Sequence, residues 1–334
     1  MEPIDNTPTT ANLSQPHTDK NSVDEVLISV IIPAFNAEDT ILRAINSVRN
    51  QNISSLELIV IDDGSADNTV NVVANNIRKN ESLHLIRMQK NSGVSAARNA
   101  GIRAARGKFL AFLDADDTWL PEKLSKQIEV MKKDSSITLV SCNSELISES
   151  GIPVKEGHLN RPPVEGNDAW KTLLMYNFLP TPTVVTLTNL VKEIGGFDEA
   201  LAVGEDLDLW IKLGLRGKVV VLKEILTNYY DRAGSLMKRH GRHTGDIVVP
   251  MLEKHIKEQS QKLSASEVRY IRGYQSFQMG CNMFFAGSYL ESIPIFLKSA
   301  FYGSRPIKSL LYIPRAICMD FITKVRVNVL GNLK

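Results

Sequence analysis

The chain has 334 residues, 43% hydrophobic and 23% charged, which is the composition of an ordinary globular protein able to bury a substantial core. Its 39 Lys and Arg against 37 Asp and Glu leave a formal net charge of +2, which argues neither for nor against a polyanionic partner, so any basic surface must be local; no nucleic-acid partner is expected. Cys142, Cys281 and Cys318 are widely spaced and form no CxxC pair, which argues against a disulfide frame or a zinc site and suits a reducing compartment.

Residues 1–25 are rich in Thr, Asn, Ser, Pro and Asp and have little to bury, so a disordered N-terminal tail is expected. The segment 1–21 has no apolar centre, and neither export nor an N-terminal spanning anchor is expected. Order is expected to begin at Val26. The run 26–33 is nearly continuous and β-branched, the pattern of a central parallel strand covered on both faces. A helix follows with Ile41, Leu42, Ile45 and Val48 at helical spacing, then a strand over 56–61 that ends in Asp62, Asp63 and Gly64. Asp67, Asn68 and Thr69 are expected to cap the next helix, and 83–88 forms a third strand. The Ala-rich stretch 94–106 is helical, with Gly107 as its expected stop.

The run 109–113 is apolar and leads straight into Asp114, Asp116 and Asp117, so carboxylates cluster at the C-terminal end of a buried strand. Open α/β sheets bind ligands at that edge. Three adjacent acids repel one another unless a cation or a donor network compensates them, which asks for a hard divalent ion; the alternative is a turn in which Asp117 or Thr118 caps the following helix. Farther on, helix is expected over 122–132, 169–176 and 189–194, and strand over 137–143, 183–187, 219–222 and 227–230, with a loop over 151–167. After Gly204 the residues Leu207, Trp210 and Ile211 share a buried helical face, making Trp210 a core residue. Glu205 and Asp206 occupy that helix's first turn, where the macrodipole favours anions. Strand and helix alternate, so the fold class is α/β, with a mainly parallel central sheet and flanking helices. From about residue 246 the pattern is helix after helix, and the segment 277–306 is similar to a single tetratricopeptide hairpin. The last segment, 307–334, mixes Leu310, Leu311, Ile317 and Phe321 with Lys308, Arg315, Lys324 and Arg326. It is too interrupted to span a membrane and suits either an anionic membrane surface or packing on the core.

The chain lacks GxGxxG after its first strand, GxxxxGK[ST], HExxH and GxSxG. A carboxylate-lined sheet edge and a separate acid pair at a helix start remain. They fit a reaction in which a diphosphate leaves and a hydroxyl attacks: a metal neutralises the leaving group and the second acid takes the proton.

Six motifs, in order, carry a resemblance. They are Val30-Ile-Ile-Pro-Ala-Phe-Asn36, Ile59-Val-Ile-Asp-Asp-Gly-Ser65, Asn91-Ser-Gly-Val-Ser-Ala-Ala-Arg-Asn-Ala-Gly101, Phe112-Leu-Asp-Ala-Asp-Asp117, Gly195-Gly-Phe-Asp-Glu199 and Gly204-Glu-Asp-Leu-Asp-Leu-Trp210. Over 26–230 the chain resembles the family 2 glycosyltransferases, inverting enzymes of the glycosyltransferase A-type fold with a Rossmann-like nucleotide-binding half. The resemblance implies a hexosyltransferase-type enzyme using a nucleotide-sugar donor, usually UDP-linked, with Mg²⁺ or Mn²⁺. Pro33 and Asn36 would flank the nucleoside, Asp63 would accept from the uracil ring, and Arg98 would approach the base or diphosphate. Asp114 and Asp116 form the D-x-D pair, with Asp116 the preferred metal ligand and Asp117 a support or helix cap. Asp206 would be the general base, with Glu205 beside it as the other candidate.

One departure concerns the metal. Where many relatives carry a histidine after the last strand, this chain has Ala233, and His240 or His243 is the available substitute. The expected organisation is a tail over 1–25, a catalytic domain over 26–245 and an α-helical C-terminal region over 246–334. The expected acceptor is a saccharide or lipid-linked saccharide of a growing cell-surface polysaccharide. The expected location is cytoplasmic, at the inner face of the cell membrane, with peripheral contact through the C-terminal region. A sugar-nucleotide nucleotidyltransferase is the enzymatic alternative, but 33–36 offers no Gly-rich basic loop for a triphosphate. A catalytically silent nucleotide-binding scaffold is the other, opposed by the intact acids.

Overall fold

The structure is a computed structural model that describes residues 26–79, 82–148, 151–155, 164–230 and 244–331. The expected tail over 1–25, much of the loop over 151–167 and both His240 and His243 lie outside these residues.

Among the described residues nine strands form one sheet: β1 (Ile28–Ala34), β2 (Leu56–Asp62), β3 (Leu83–Arg87), β4 (Phe109–Phe112), β5 (Thr118–Trp119), β6 (Ile137–Ile147), β7 (Pro153–Lys155), β8 (Val185–Leu187) and β9 (Lys218–Tyr230). Their order is β3-β2-β1-β4-β8-β6-β9-β5, with β7 paired to β6. The block β3-β2-β1-β4 is parallel throughout, and β6 pairs with β9 in parallel; β8 inserts antiparallel between β4 and β6. Alternation across the pleat sends Ile31, Ile59, Ile61, Leu110 and Phe112 into one core, and Val30, Ile32, Val60, Phe109 and Ala111 into the core on the opposite face. Both faces are covered, which is why these strands are unbroken apolar runs in the sequence.

The first core lies under α3 (Val94–Ala104) and α7 (Glu205–Gly214), and the second under α1 (Ile41–Arg49) and α4 (Lys123–Lys133). Shorter helices α2 (Thr69–Asn75), α5 (Ala169–Leu173) and α6 (Thr188–Glu193) complete this half. Trp210 is fully buried and packs on Phe112 and Phe197. A helical region follows: α8 (Thr244–Glu258), α9 (Ala265–Phe285), α10 (Tyr289–Phe301) and α11 (Pro306–Gly331). In the tetratricopeptide-like segment Gly280 of α9 leaves room for Phe296 of α10, whose ring stacks on Tyr312 of α11.

Four local expectations change. Strand 183–187 begins at Val185, because Thr181–Thr183 forms a 3₁₀ turn first. The two strands over 219–222 and 227–230 are one, β9, whose register against β6 shifts where the sequence looked like a break. Gly107 does not stop α3, which ends at Ala104; a side chain at Gly107 would collide with the backbone of Ile28 and Ser29. Asp117 caps no helix: the residue before α4 is Glu122, in a left-handed conformation and with no side-chain cap.

Candidate active site

The parallel register brings the ends of β1, β2 and β4 to one edge, Ala34 lying beside Asp62 and Ile31 beside Phe112. Loops laced together by side chains extend from that edge. Asn36, at φ 49°, donates its amide to Ser65 Oγ and accepts from the Ala66 amide through Oδ1. Asp67 accepts from Glu38 N and Thr69 N, while Glu38 accepts from Asn68 N. Thr69 Oγ1 accepts from Ala37 N at 2.8 Å. The polar residues after β2 thus hold the loop after β1 in a fixed shape. Pro33 is buried in β1, whereas Phe35 and Asn36 are exposed at its end.

Asp63 is 4% exposed, and its two oxygens accept from the amides of Ser92 and Gly93 at 2.8 and 2.9 Å. Burial raises its pKa against those two donors. Asp63 therefore shapes the turn before α3, and a nucleobase donor would be an additional partner for the same carboxylate. Gly64, at φ 73°, lets this turn approach: a Cβ there would sit 2.8 Å from Asn91 N.

Arg98 lies between two acids. It is 4% exposed and bridges two acids, Nη2 donating to Asp114 Oδ1 at 2.8 Å and Nη1 to Glu205 Oε1 at 2.9 Å. Burial opposes its charge, but Asp114 and Glu205 outweigh it and hold the guanidinium protonated. One buried cation from α3 thereby ties the strand end bearing D-x-D to the helix bearing the second acid pair. The adjacent Asn99 does similar work with neutral groups, donating from Nδ2 to Phe197 O and accepting from Phe197 N, both at 2.9 Å.

Asp206 is partly buried in the first turn of α7. Its Oδ2 accepts from Asn177 Nδ2 at 2.9 Å and Thr181 Oγ1 at 3.3 Å, and its Oδ1 from Leu207 N at 2.7 Å. Desolvation, reinforced by neighbouring Glu205, pushes its pKa up to about 6. Glu205 is engaged by Arg98, whereas the Asp206 carboxylate is held only by neutral donors.

Asp114 and Asp116 are both partly exposed at the turn after β4. Asp117 is 1% exposed; its Oδ1 accepts from Tyr230 N at 3.0 Å, and its Oδ2 is buried without a hydrogen-bond partner. Burial raises its pKa well above the usual range, and the charges of Asp114 and Asp116 raise it further. Burial and the same three acids also push Tyr229 up. Negative charge is in excess here. Arg43 of α1 partly answers it, donating to Asp116 O at 2.7 Å while its guanidinium lies 3.7 Å from the centre of the Tyr230 ring.

Among the described residues no three His, Cys, Asp or Glu side chains gather into a metal cage. Asp116 beside the Arg98-paired Asp114, with the orphaned buried oxygen of Asp117 next to them, fits a hard cation whose remaining ligands are diphosphate and water, the usual manner of Mg²⁺ binding.

Sequence reasoning missed Asn177, Thr181, Arg43 and the clamp made by Asn99. Asn99 lay inside a quoted motif and was legible there; Asn177 is 29 residues from Asp206, with no local pattern linking them.

A family model described as Glycosyl transferase family 2 matches residues 29–181. An uncharacterized glycosyltransferase of Rickettsia typhi is 30% identical over 262 residues, 76% of this chain and 78% of that protein. A UDP-Glc:alpha-D-GlcNAc-diphosphoundecaprenol beta-1,3-glucosyltransferase of Escherichia coli is 38% identical over 130 residues, 39% of this chain and 50% of its own. Two solved structures share the fold. S. aureus TarS 1–349 in complex with UDP-GlcNAc has TM-score 0.55 and 19% identity, covering 88% of each chain. A mannosyltransferase from Pyrobaculum calidifontis in complex with GDP-Man and Mn²⁺ has TM-score 0.60 and 17% identity, covering 87% of this chain and 80% of that one. Six motifs in order, the shared fold and a relative 30% identical across three quarters of both chains establish that this protein is an enzyme of glycosyl transferase family 2.

Proposed function

We propose that the chain is an inverting glycosyltransferase that moves a hexosyl group from a uridine diphosphate sugar to a hydroxyl of a growing polysaccharide or lipid-linked oligosaccharide. The observation that carries this reading is Asp206, a carboxylate with a raised pKa, held by Asn177 and Thr181 and linked through Glu205 and Arg98 to Asp114. The UDP-GlcNAc bound to one structural neighbour, and the lipid-linked acceptor in the description of one relative, support the donor and acceptor classes.

In the reaction Asp206 accepts the proton of the acceptor hydroxyl as its oxygen forms a bond to the anomeric carbon. The bond from that carbon to the diphosphate breaks, and its electron pair leaves with the phosphate oxygen. Attack opposite the leaving group inverts the centre. Asp114 and Asp116 would hold Mg²⁺ or Mn²⁺, which when bound neutralises charge on the diphosphate. Pro33, Asn36 and Asp63 would shape the nucleoside site, and Arg98 acts by fixing Asp114 against Glu205. The catalytic unit is taken as 26–245 and the helical region as 246–334. The enzyme works at the cytoplasmic face of the cell membrane, with its C-terminal region in peripheral contact.

The test is incubation with labelled UDP-sugars, Mg²⁺ or Mn²⁺ and saccharide acceptors, with the anomeric configuration of the product read by NMR. Transfer with inversion is expected. Pyrophosphate release from a nucleoside triphosphate would favour a nucleotidyltransferase. Failure of every nucleotide to raise thermal stability would overturn both enzymatic readings.

A further inference from the structure

The helices α9, α10 and α11 pack around the rings of Phe277, Phe296 and Tyr312, with buried serines beside them. On their packed sides Ser299, Ser304 and Ser309 are fully buried, Ser309 Oγ donating to Ser299 Oγ and Ser299 Oγ to Gly273 O. The outer sides of α10 and α11 are largely apolar. Along α10 the exposed residues Leu290, Pro294, Leu297 and Phe301 recur at helical spacing, with Phe301 75% exposed. Along α11 the exposed positions are Ile307 (75%), Leu310, Leu311, Ile317 and Phe321 (69%). Surface helices of water-soluble domains turn such stripes inward. Here two neighbouring helices turn them outward, and contiguous exposed apolar surface marks an interaction site.

Charge selects the occupant. Lys308 and Arg315 stand among the apolar residues of α11, and Lys298 is exposed on α10. Within the described side chains of α11 the single acid, Asp320, lies off the fully exposed face. A second copy of the same faces would offer Lys298, Lys308 and Arg315 only Glu291 as an exposed acid among the described side chains of α10 and α11. An anionic lipid surface meets both features, taking the apolar side chains at its headgroup boundary and the cations at its phosphates. No helix of the described residues is long and apolar enough to cross a membrane, so the surface lies on the bilayer.

We infer that the outer faces of α10 and α11 together form a platform that docks on an anionic membrane. This rests on the membrane contact proposed above and sharpens it from a terminal tail to a two-helix surface that begins at Leu290. The platform is joined to the base-bearing wall of the site. His255 of α8 meets Asp208 of α7 at 2.7 Å, and Gln275 of α9 donates to Leu174 O beside α5.

The test is co-sedimentation of the full chain with vesicles of phosphatidylcholine alone and of phosphatidylcholine with phosphatidylglycerol. Binding to the anionic vesicles is expected, and about tenfold less to the neutral ones. The exposed triple variant Phe301→Ser, Ile307→Ser, Phe321→Ser should abolish binding, and Lys308→Glu with Arg315→Glu should weaken it about tenfold, with thermal melts unchanged. Equal binding to both vesicle types, or binding untouched by the triple variant, overturns the platform. So does a concentration-dependent dimer that the triple variant dissolves while vesicles go unbound. Donor-induced thermal stabilisation, measured in parallel, tests nucleotide binding separately from docking.

Discussion

The two ends of the parallel sheet carry buried carboxylates in opposite electrostatic states. At the amino end Glu57 is 0% exposed, and Ser29 Oγ, Arg106 N and Arg106 Nε all donate to it. Burial works to raise its pKa, but these donors outweigh burial and hold it below the ordinary range. At the carboxyl end Asp117 is 1% exposed, and burial with Asp114 and Asp116 pushes it the other way. Both are closed to solvent, but Asp117 is the more deeply desolvated and has one donor where Glu57 has three, so burial prevails at one end and donors at the other. The amino end is satisfied from within the chain, whereas the carboxyl end holds charge that a ligand or cation can answer.

The largest effect expected is on chemistry. Asp206→Asn should lower transfer about 10³-fold while leaving the donor's thermal stabilisation intact; comparable activity would shift the base role to Glu205. At the amino end Glu57→Ala removes a fully paired buried acid and strands Arg106 and Ser29. A loss of about 1–3 kcal/mol in chemical denaturation is expected, since water can solvate the exposed Arg106 but not Ser29, and a near-neutral result would break the contrast between the two ends. Asp117→Asn should have the opposite sign. In chelator it should stabilise the fold by about 1–2 kcal/mol, because an amide keeps the acceptor for Tyr230 N and removes a charge whose Oδ2 has no partner. Destabilisation would show that Asp117 is compensated after all.

The smallest effect is a shift in pH dependence. Asp206 must be deprotonated to accept a proton, so with its pKa at about 6 the rate should fall as pH drops through 6 and level off above it. Arg98, Glu205 and Tyr229 are the charged and titratable groups coupled to it. Because Glu205 raises the Asp206 pKa, Glu205→Gln should move this limb to lower pH, as read from kcat against pH. A limb that stays in place would mean burial alone sets the value.

What the sequence by itself determined is what local pattern encodes. Continuous apolar runs specify strands covered on both faces, helical spacing specifies Trp210 as core, and acids after β2 and β4 specify the edge where chemistry gathers. These depend on residues a few positions apart, and the order of motifs that carries the family is read directly along the chain. Only the tertiary structure decided which group answers which charge. Arg98 reaches Asp114 and Glu205, 16 and 107 positions away, and Tyr230 reaches Asp117 across 113. Asn177 comes to Asp206 because β8 and its preceding turn insert between β4 and β6. The outward apolar faces of α10 and α11 were equally out of reach, since periodicity marks a stripe and only packing shows which side the neighbours cover.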